Sequence, residues 1–256
     1  DKGVNKVILD LRGNGGGYVK AAEDLFGDDV LWIDPCKPGY TLAKICYDTL
    51  KEYKKSKGRD ADIVLLANHG IFVADDTVDG LGDKLYSVMS KIRGEVTEEP
   101  DLSVGEFDGD KAQEIFNGIS EVFGEDSVVT YEPSVLSLEY SKDKESVKEI
   151  YFPFNPDQVV YCKPYPVFIE NKEEIKNLVE EYKEKNGFLP KILLVKDCGV
   201  YGVDYSQKGS ETAVALFNDA MKIAVFAKDF GGAKPMSDDL TDFIVNWEAE
   251  SYRSKQ

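Results

Sequence analysis

Histidine is nearly missing from this chain: His69 is the sole example among 256 residues. A closed zinc centre built from cysteine and histidine is therefore disfavoured, because such centres consume four of those ligands. Cysteine is sparse too. Cys36, Cys46, Cys162 and Cys198 show neither a CxxC spacing nor a short disulfide framework, so a reducing, cytoplasmic setting is expected. Positive charge is outweighed, with 31 Lys and Arg against 48 Asp and Glu and a net charge of −17. That balance argues against nucleic acid or an anionic membrane as a partner. No apolar run approaches the length of a membrane span, and no signal peptide opens the sequence.

What is present reads as globular. The apolar share is 42%, and the length allows one large core or two ordinary ones. The stretch Asp62-Ile-Val-Leu-Leu-Ala-Asn-His-Gly-Ile-Phe-Val-Ala-Asp75 holds two β-prone runs around Asn68, His69 and Gly70. Asn and Gly tolerate positive φ and favour a tight turn, which would hold the His69 imidazole at a sheet edge. An imidazole there suits metal ligation or proton transfer. The pattern recurs 129 residues later in Lys191–Asp204, with Asp197, Cys198 and Gly199 in place of Asn68, His69 and Gly70.

Without gaps, the same offset aligns 12 identities over residues 28–80, among them Asp28/Asp157, Pro35/Pro164, Tyr53/Tyr182, Gly58/Gly187, Asp75/Asp204 and Gly80/Gly209. Chance would give about one match in sixteen. An internal duplication of about 129 residues is therefore expected. It implies a first unit over 1–110 and a second, degenerate one over 111–256.

Taken in order, Val7–Leu11 reads as a strand, followed by the glycine loop 13–17 and a helix pattern through Phe26. That loop could cradle an anion, with Gly15 and Gly16 as the contacts. It lacks the Lys-Ser/Thr of a P-loop and the spacing of a dinucleotide fingerprint. Residues 40–57 form an amphipathic helix stopped by Gly58, and Asp76 and Thr77 can cap the next one. Gly94–Asp110 is the candidate linker. Strands are predicted at 128–131 and 159–161, then a helix through Tyr182, a strand from Pro190 to Val195, and helices over 206–228 and 237–252.

Asp10, Leu11, Arg12, Asn14, Gly16 and Gly17 resemble a strand-and-loop segment of the C-terminal-processing serine peptidases, over fewer than 30 residues and with no Gly-Ser-x-x-Ser stretch after it. A wider resemblance is carried by Leu25–Ala43, the Asn68-His69-Gly70 turn and Phe230-Gly-Gly through Asn246-Trp-Glu-Ala-Glu-Ser-Tyr-Arg253. These are similar to the class II aldolase/adducin family, in the branch related to the aldolase part of bifunctional rhamnulose-1-phosphate aldolase/dehydrogenases. The resemblance implies an α/β fold, an α/β/α sandwich of class II aldolase type, assembled as a homo-oligomer. It implies a metal-dependent aldehyde-lyase acting on a sugar phosphate, with zinc or another divalent metal held at His69. Asn68, Gly70, Gly15 and Gly16 would then contact substrate, and no catalytic residue is assigned. The family's His-x-His pair has no counterpart here, so the alternative is a non-catalytic binding or scaffold domain.

Overall fold

Residues 7–10, 22, 25–27 and 30–247 are described in a computed structural model. Two four-stranded mixed sheets with helices around them make the architecture mixed α/β. Compact units gather around each sheet: Asp1–Glu99 with Phe226–Leu240, and Pro100–Val225 with Thr241–Gln256. The changeover thus falls at 99/100, and residue 110 lies in the first turn of a helix.

In the first unit the strands are β1 (Val7–Asp10), β2 (Val30–Ile33), β3 (Ile63–Leu66) and β4 (Gly70–Asp75), in the order β1-β4-β3-β2. β1 and β3 run antiparallel to β4, while β2 pairs parallel with β3. The period of two along β3 decides which helix covers which face. Val64 and Leu66 pack with Ile33 and with Leu42, Cys46, Leu50 and Tyr53 of α1 (Tyr40–Lys57). Ile63 and Leu65 instead join Ile71 and Val73 against Leu81, Leu85 and Val88 of α2 (Val78–Glu95). Helices therefore lie on both faces. α1 ends at Gly58, whose left-handed backbone (φ 69°) returns its N–H to the Lys54 carbonyl.

The second unit holds β5 (Val128–Glu132), β6 (Val167–Ile169), β7 (Ile192–Val195) and β8 (Gly199–Asp204), in the order β5-β8-β7-β6 with the same directions. Its helices are α3 (Gly109–Phe123), α4 (Val135–Tyr140), α5 (Lys144–Lys148), α6 (Pro156–Cys162), α7 (Ile175–Asn186) and α8 (Gln207–Ala227). Leu193 and Val195 pack against Ile115 and Ile119 of α3 and Val179 and Tyr182 of α7. α8 lies on the opposite face, close enough that a Cβ on Gly202 would sit 2.4 Å from Val214 Cγ2. All four β7 side chains are buried, each contributing about 1.5–3 kcal/mol. The last helix, α9, spans Asp238–Val245, shorter than the predicted 237–252; residues 248–256 fall outside the described set.

The ungapped repeat needs correcting upstream of the helices. At an offset of 129, Val30 would match Val159, but residues 156–162 form α6, not the predicted strand. Asn155 accepts from the Gln158 N–H and Pro156 occupies the first turn, a strong helix start. The strand beside β7 is β6, where Val167 pairs with Leu193 as Leu31 pairs with Val64. Leu31 and Val167 are 136 residues apart. Most of the extra seven lie in the helix, since α1 has 18 residues and α7 has 12; the approaches to them, residues 34–39 and 170–174, differ by one more. Pro35/Pro164 and Asp28/Asp157 are therefore not structural partners.

Candidate functional site: the two hairpin tips

Asn68, His69 and Gly70 do form the predicted turn. Leu66 pairs with Gly70, the His69 N–H donates to the Leu66 carbonyl at 3.0 Å, and Asn68 takes φ 56°. Asn pays little for that left-handed backbone, which explains its presence. Its side chain is buried and donates from Nδ2 to the Lys234 carbonyl at 2.8 Å. The His69 residue is half-buried. Ala67 N–H donates to the Ile33 carbonyl, tying the tip to β2.

The second tip repeats this geometry. Cys198 N–H donates to Val195 at 2.9 Å, Lys196 N–H to Ile169 at 2.9 Å, and Asp197 takes φ 59°. What differs is the covering. Cys198 is fully buried, and burial raises its thiol pKa. Its carbonyl accepts the Tyr131 hydroxyl at 2.7 Å, the Gly199 N–H donates to Ser141 Oγ at 3.1 Å, and Lys111 Nζ donates to the Lys196 carbonyl at 2.8 Å. Burial pushes the Tyr131 phenol up to about 12. Tyr131 stacks on Tyr201 with ring centres 4.5 Å apart. Gly199 is required here: φ is +100°, and a Cβ would stand 2.6 Å from the Glu132 carbonyl. One tip keeps an imidazole near the surface; the other is sealed.

Each β4-type strand also ends in a carboxylate that organises the following helix. Asp75 accepts from the Thr77 N–H at 2.9 Å, and Thr77 Oγ1 caps Gly80 N–H at 3.0 Å. Ser206 caps Gly209 N–H at 3.1 Å beside Asp204. A Cβ on Gly80 or Gly209 would meet the Asp carboxylate at 2.3 Å in each case.

Among the described residues, no group of three or more His, Cys, Asp or Glu is gathered so as to hold a metal. The expectation of a metal-binding protein is corrected accordingly, since open zinc sites use about three protein ligands. Asp34, just past the end of β2, accepts from Trp32 Nε1 at 3.0 Å. Gly15 and Gly16 lie outside the described residues, as does most of the segment resembling the serine peptidases.

No profile of a known protein family matches the chain. It is 22% identical over 274 aligned residues to a protein named "Uncharacterized oxidoreductase YuxG" from Bacillus subtilis (strain 168). The alignment takes in 91% of this chain and 39% of that protein, so the chain spans well under half the relative's length. The relative's name is that of an oxidoreductase. It overturns the class II aldolase/adducin resemblance, together with the aldehyde-lyase activity and the aldolase-like scaffold inferred from it.

Sequence reasoning located both tips but missed what distinguishes them. Ser141, Lys111 and Tyr131 reach the second tip from distant positions, and no local pattern announces them. Lys163 was missed as well, and its signal was legible only at the corrected offset. Leu31/Val167 places Lys163 opposite Gly27, and both have positive φ, 63° and 59°.

Proposed function

We propose that the chain corresponds to a part of an oxidoreductase-related protein, that this part does not itself bind a nicotinamide dinucleotide, and that it handles a small molecule. The alignment of 91% of the chain with a protein of that name is the observation that carries the reading. Topology supports the exclusion of the nicotinamide role: dinucleotide folds are parallel and doubly wound, whereas each sheet here has two antiparallel pairs and one parallel pair among the described strands. The glycine loop 13–17 also departs from the dinucleotide spacing. Fluorescence titration with NADH and NADPH tests this. No saturable binding is expected, and saturation in the micromolar range would overturn the reading.

The Asn68–His69–Gly70 tip is the proposed contact for that small molecule, a sugar phosphate being the first class to try. The contrast between a half-buried imidazole and a sealed Cys198 supports it. A ligand that raises the melting temperature of the native chain and not of His69→Ala is the expected result; equal shifts in both would overturn it.

Internal duplication is part of the proposal, with the copies sought within 1–110 and 111–256, a division just past the change of compact unit at 99/100. Equal strand order and the equivalent bonds at both tips support it. So is self-association, supported by Val78, Tyr86 and Met89, exposed along one side of α2. Light scattering after gel filtration tests that. A cytoplasmic location fits the four free cysteines, and no helix among the described residues is long and apolar enough to cross a membrane.

A further inference from the structure

The strongest outlier in the backbone is Lys163. It stands just past α6 with φ 63° and ψ 156°, a region essentially reserved for glycine. At the corresponding position the first unit has a glycine, Gly27, also with positive φ (59°). A lysine there costs backbone strain that the other unit avoids, so local stability does not account for it. Its side chain explains more. The residue is half-buried, and Nζ stands 4.8 Å from the centre of the Phe188 ring. Among the described residues no carboxylate forms an ion pair with it. The nearby carboxylate, Asp204, is already paired with Lys191. Two ammonium groups thus share one counter-ion beside an aromatic wall.

We propose that Lys163 is a reactive amine that captures a small carbonyl compound, an aldehyde or ketone, as an imine. Burial lowers its pKa first, the Lys191 charge lowers it further, and Asp204 only partly offsets them. Those are the conditions that activate lysine nucleophiles: desolvation and a cationic neighbour. The neutral amine's lone pair forms a bond to the carbonyl carbon, whose π electrons move to oxygen. Proton transfer gives a carbinolamine, and loss of water gives the imine; no electrons are exchanged with any other reagent. The charged groups facing the amine are Lys191 at the start of β7 and Asp204 at the end of β8. This inference does not rest on the small-molecule contact proposed at His69, which belongs to the other unit.

The test uses the whole native chain, glycolaldehyde as probe and cyanoborohydride to trap imines, at pH 7.5 with peptide mapping by chymotrypsin. Lys163 is expected to be alkylated several-fold faster than the exposed Lys176 and Lys208, since a lowered pKa raises the neutral fraction. Its rate should level off with rising pH below the ~10.4 of an ordinary lysine. Labelling of Lys163 no faster than of those two lysines overturns the proposal, and that comparison needs no variant to fold. Lys191→Gln frees Asp204 to pair with Lys163 and should slow the reaction at Lys163. An unchanged rate in a folded Lys191→Gln protein overturns the role given to the cationic neighbour.

Discussion

Lys84 Nζ lies 2.8 Å from the Asp75 carboxylate and 2.9 Å from that of Asp62. Asp204, 129 residues after Asp75, takes its cation from Lys191, and Lys191 occupies the position of Asp62. Ala213 stands where Lys84 would be. The carboxylate is thus kept in both units while its cation comes from the helix in one and from the strand entrance in the other.

That pairing sets an acid response. Hydrogen bonds from Lys84 and from the Thr77 N–H hold the Asp75 carboxyl down at about 2, below the ~3.9 of an unfolded aspartate. A depressed folded value means the contribution is complete above about pH 4 and disappears as pH falls through about 2. Urea midpoints of the wild type should fall over that window, and Asp75→Asn should flatten this part of the profile.

Moving the cation is a direct check on the equivalence of the two units. Lys84→Ala leaves Asp62 and Asp75 facing each other uncompensated and should lower the urea midpoint. Adding Asp62→Lys rebuilds the arrangement of the second unit and should restore most of the loss. A double variant no more stable than the single one would show that the two ends are not interchangeable.

Glycine substitutions separate backbone strain from collision. Gly124→Ala, at φ 94° with open space around the new methyl, should cost about 1 kcal/mol. Gly199→Ala adds a clash with the fixed Glu132 carbonyl and should cost about 3 kcal/mol. Equilibrium unfolding of both variants gives the comparison.

Tyr131→Phe removes the donor to the buried Cys198 carbonyl and should cost about 1–2 kcal/mol. The folded phenol, raised to about 12 by burial, titrates above the ~10 of an unfolded tyrosine. Its contribution is complete below pH 10 and is lost as pH rises through 12. Burial also raises the phenols of Tyr182 and Tyr201, so ultraviolet titration should show one fewer late-ionising phenol in the variant than in the wild type.

At Lys163 the strain itself can be measured. Lys163→Gly gives the position the residue type that Gly27 already supplies in the first unit, and should raise stability by about 1 kcal/mol. A loss would show that the lysine side chain, packed on Phe188, contributes more than the backbone costs.

Local chemistry fixed a good deal. The apolar runs 63–66 and 192–195, the stop at Gly58, the Thr77 cap and the Asn68–Gly70 and Asp197–Gly199 turns follow from residue preferences that act within a few positions. The recurrence after 129 residues was visible for the same reason, since the turn and both its strands are continuous in sequence. Tertiary structure decided the rest. Val159–Tyr161 is helical and Val167–Ile169 became the strand, because a short apolar run suits either state until a neighbour such as β7 offers its free edge. The sealing of one tip and not the other was likewise beyond the sequence, as Tyr131, Ser141 and Lys111 reach Cys198 and its neighbours only once distant segments have packed. Burial and pairing across long separations are properties of the folded chain, and they separate a covered thiol from an imidazole near the surface.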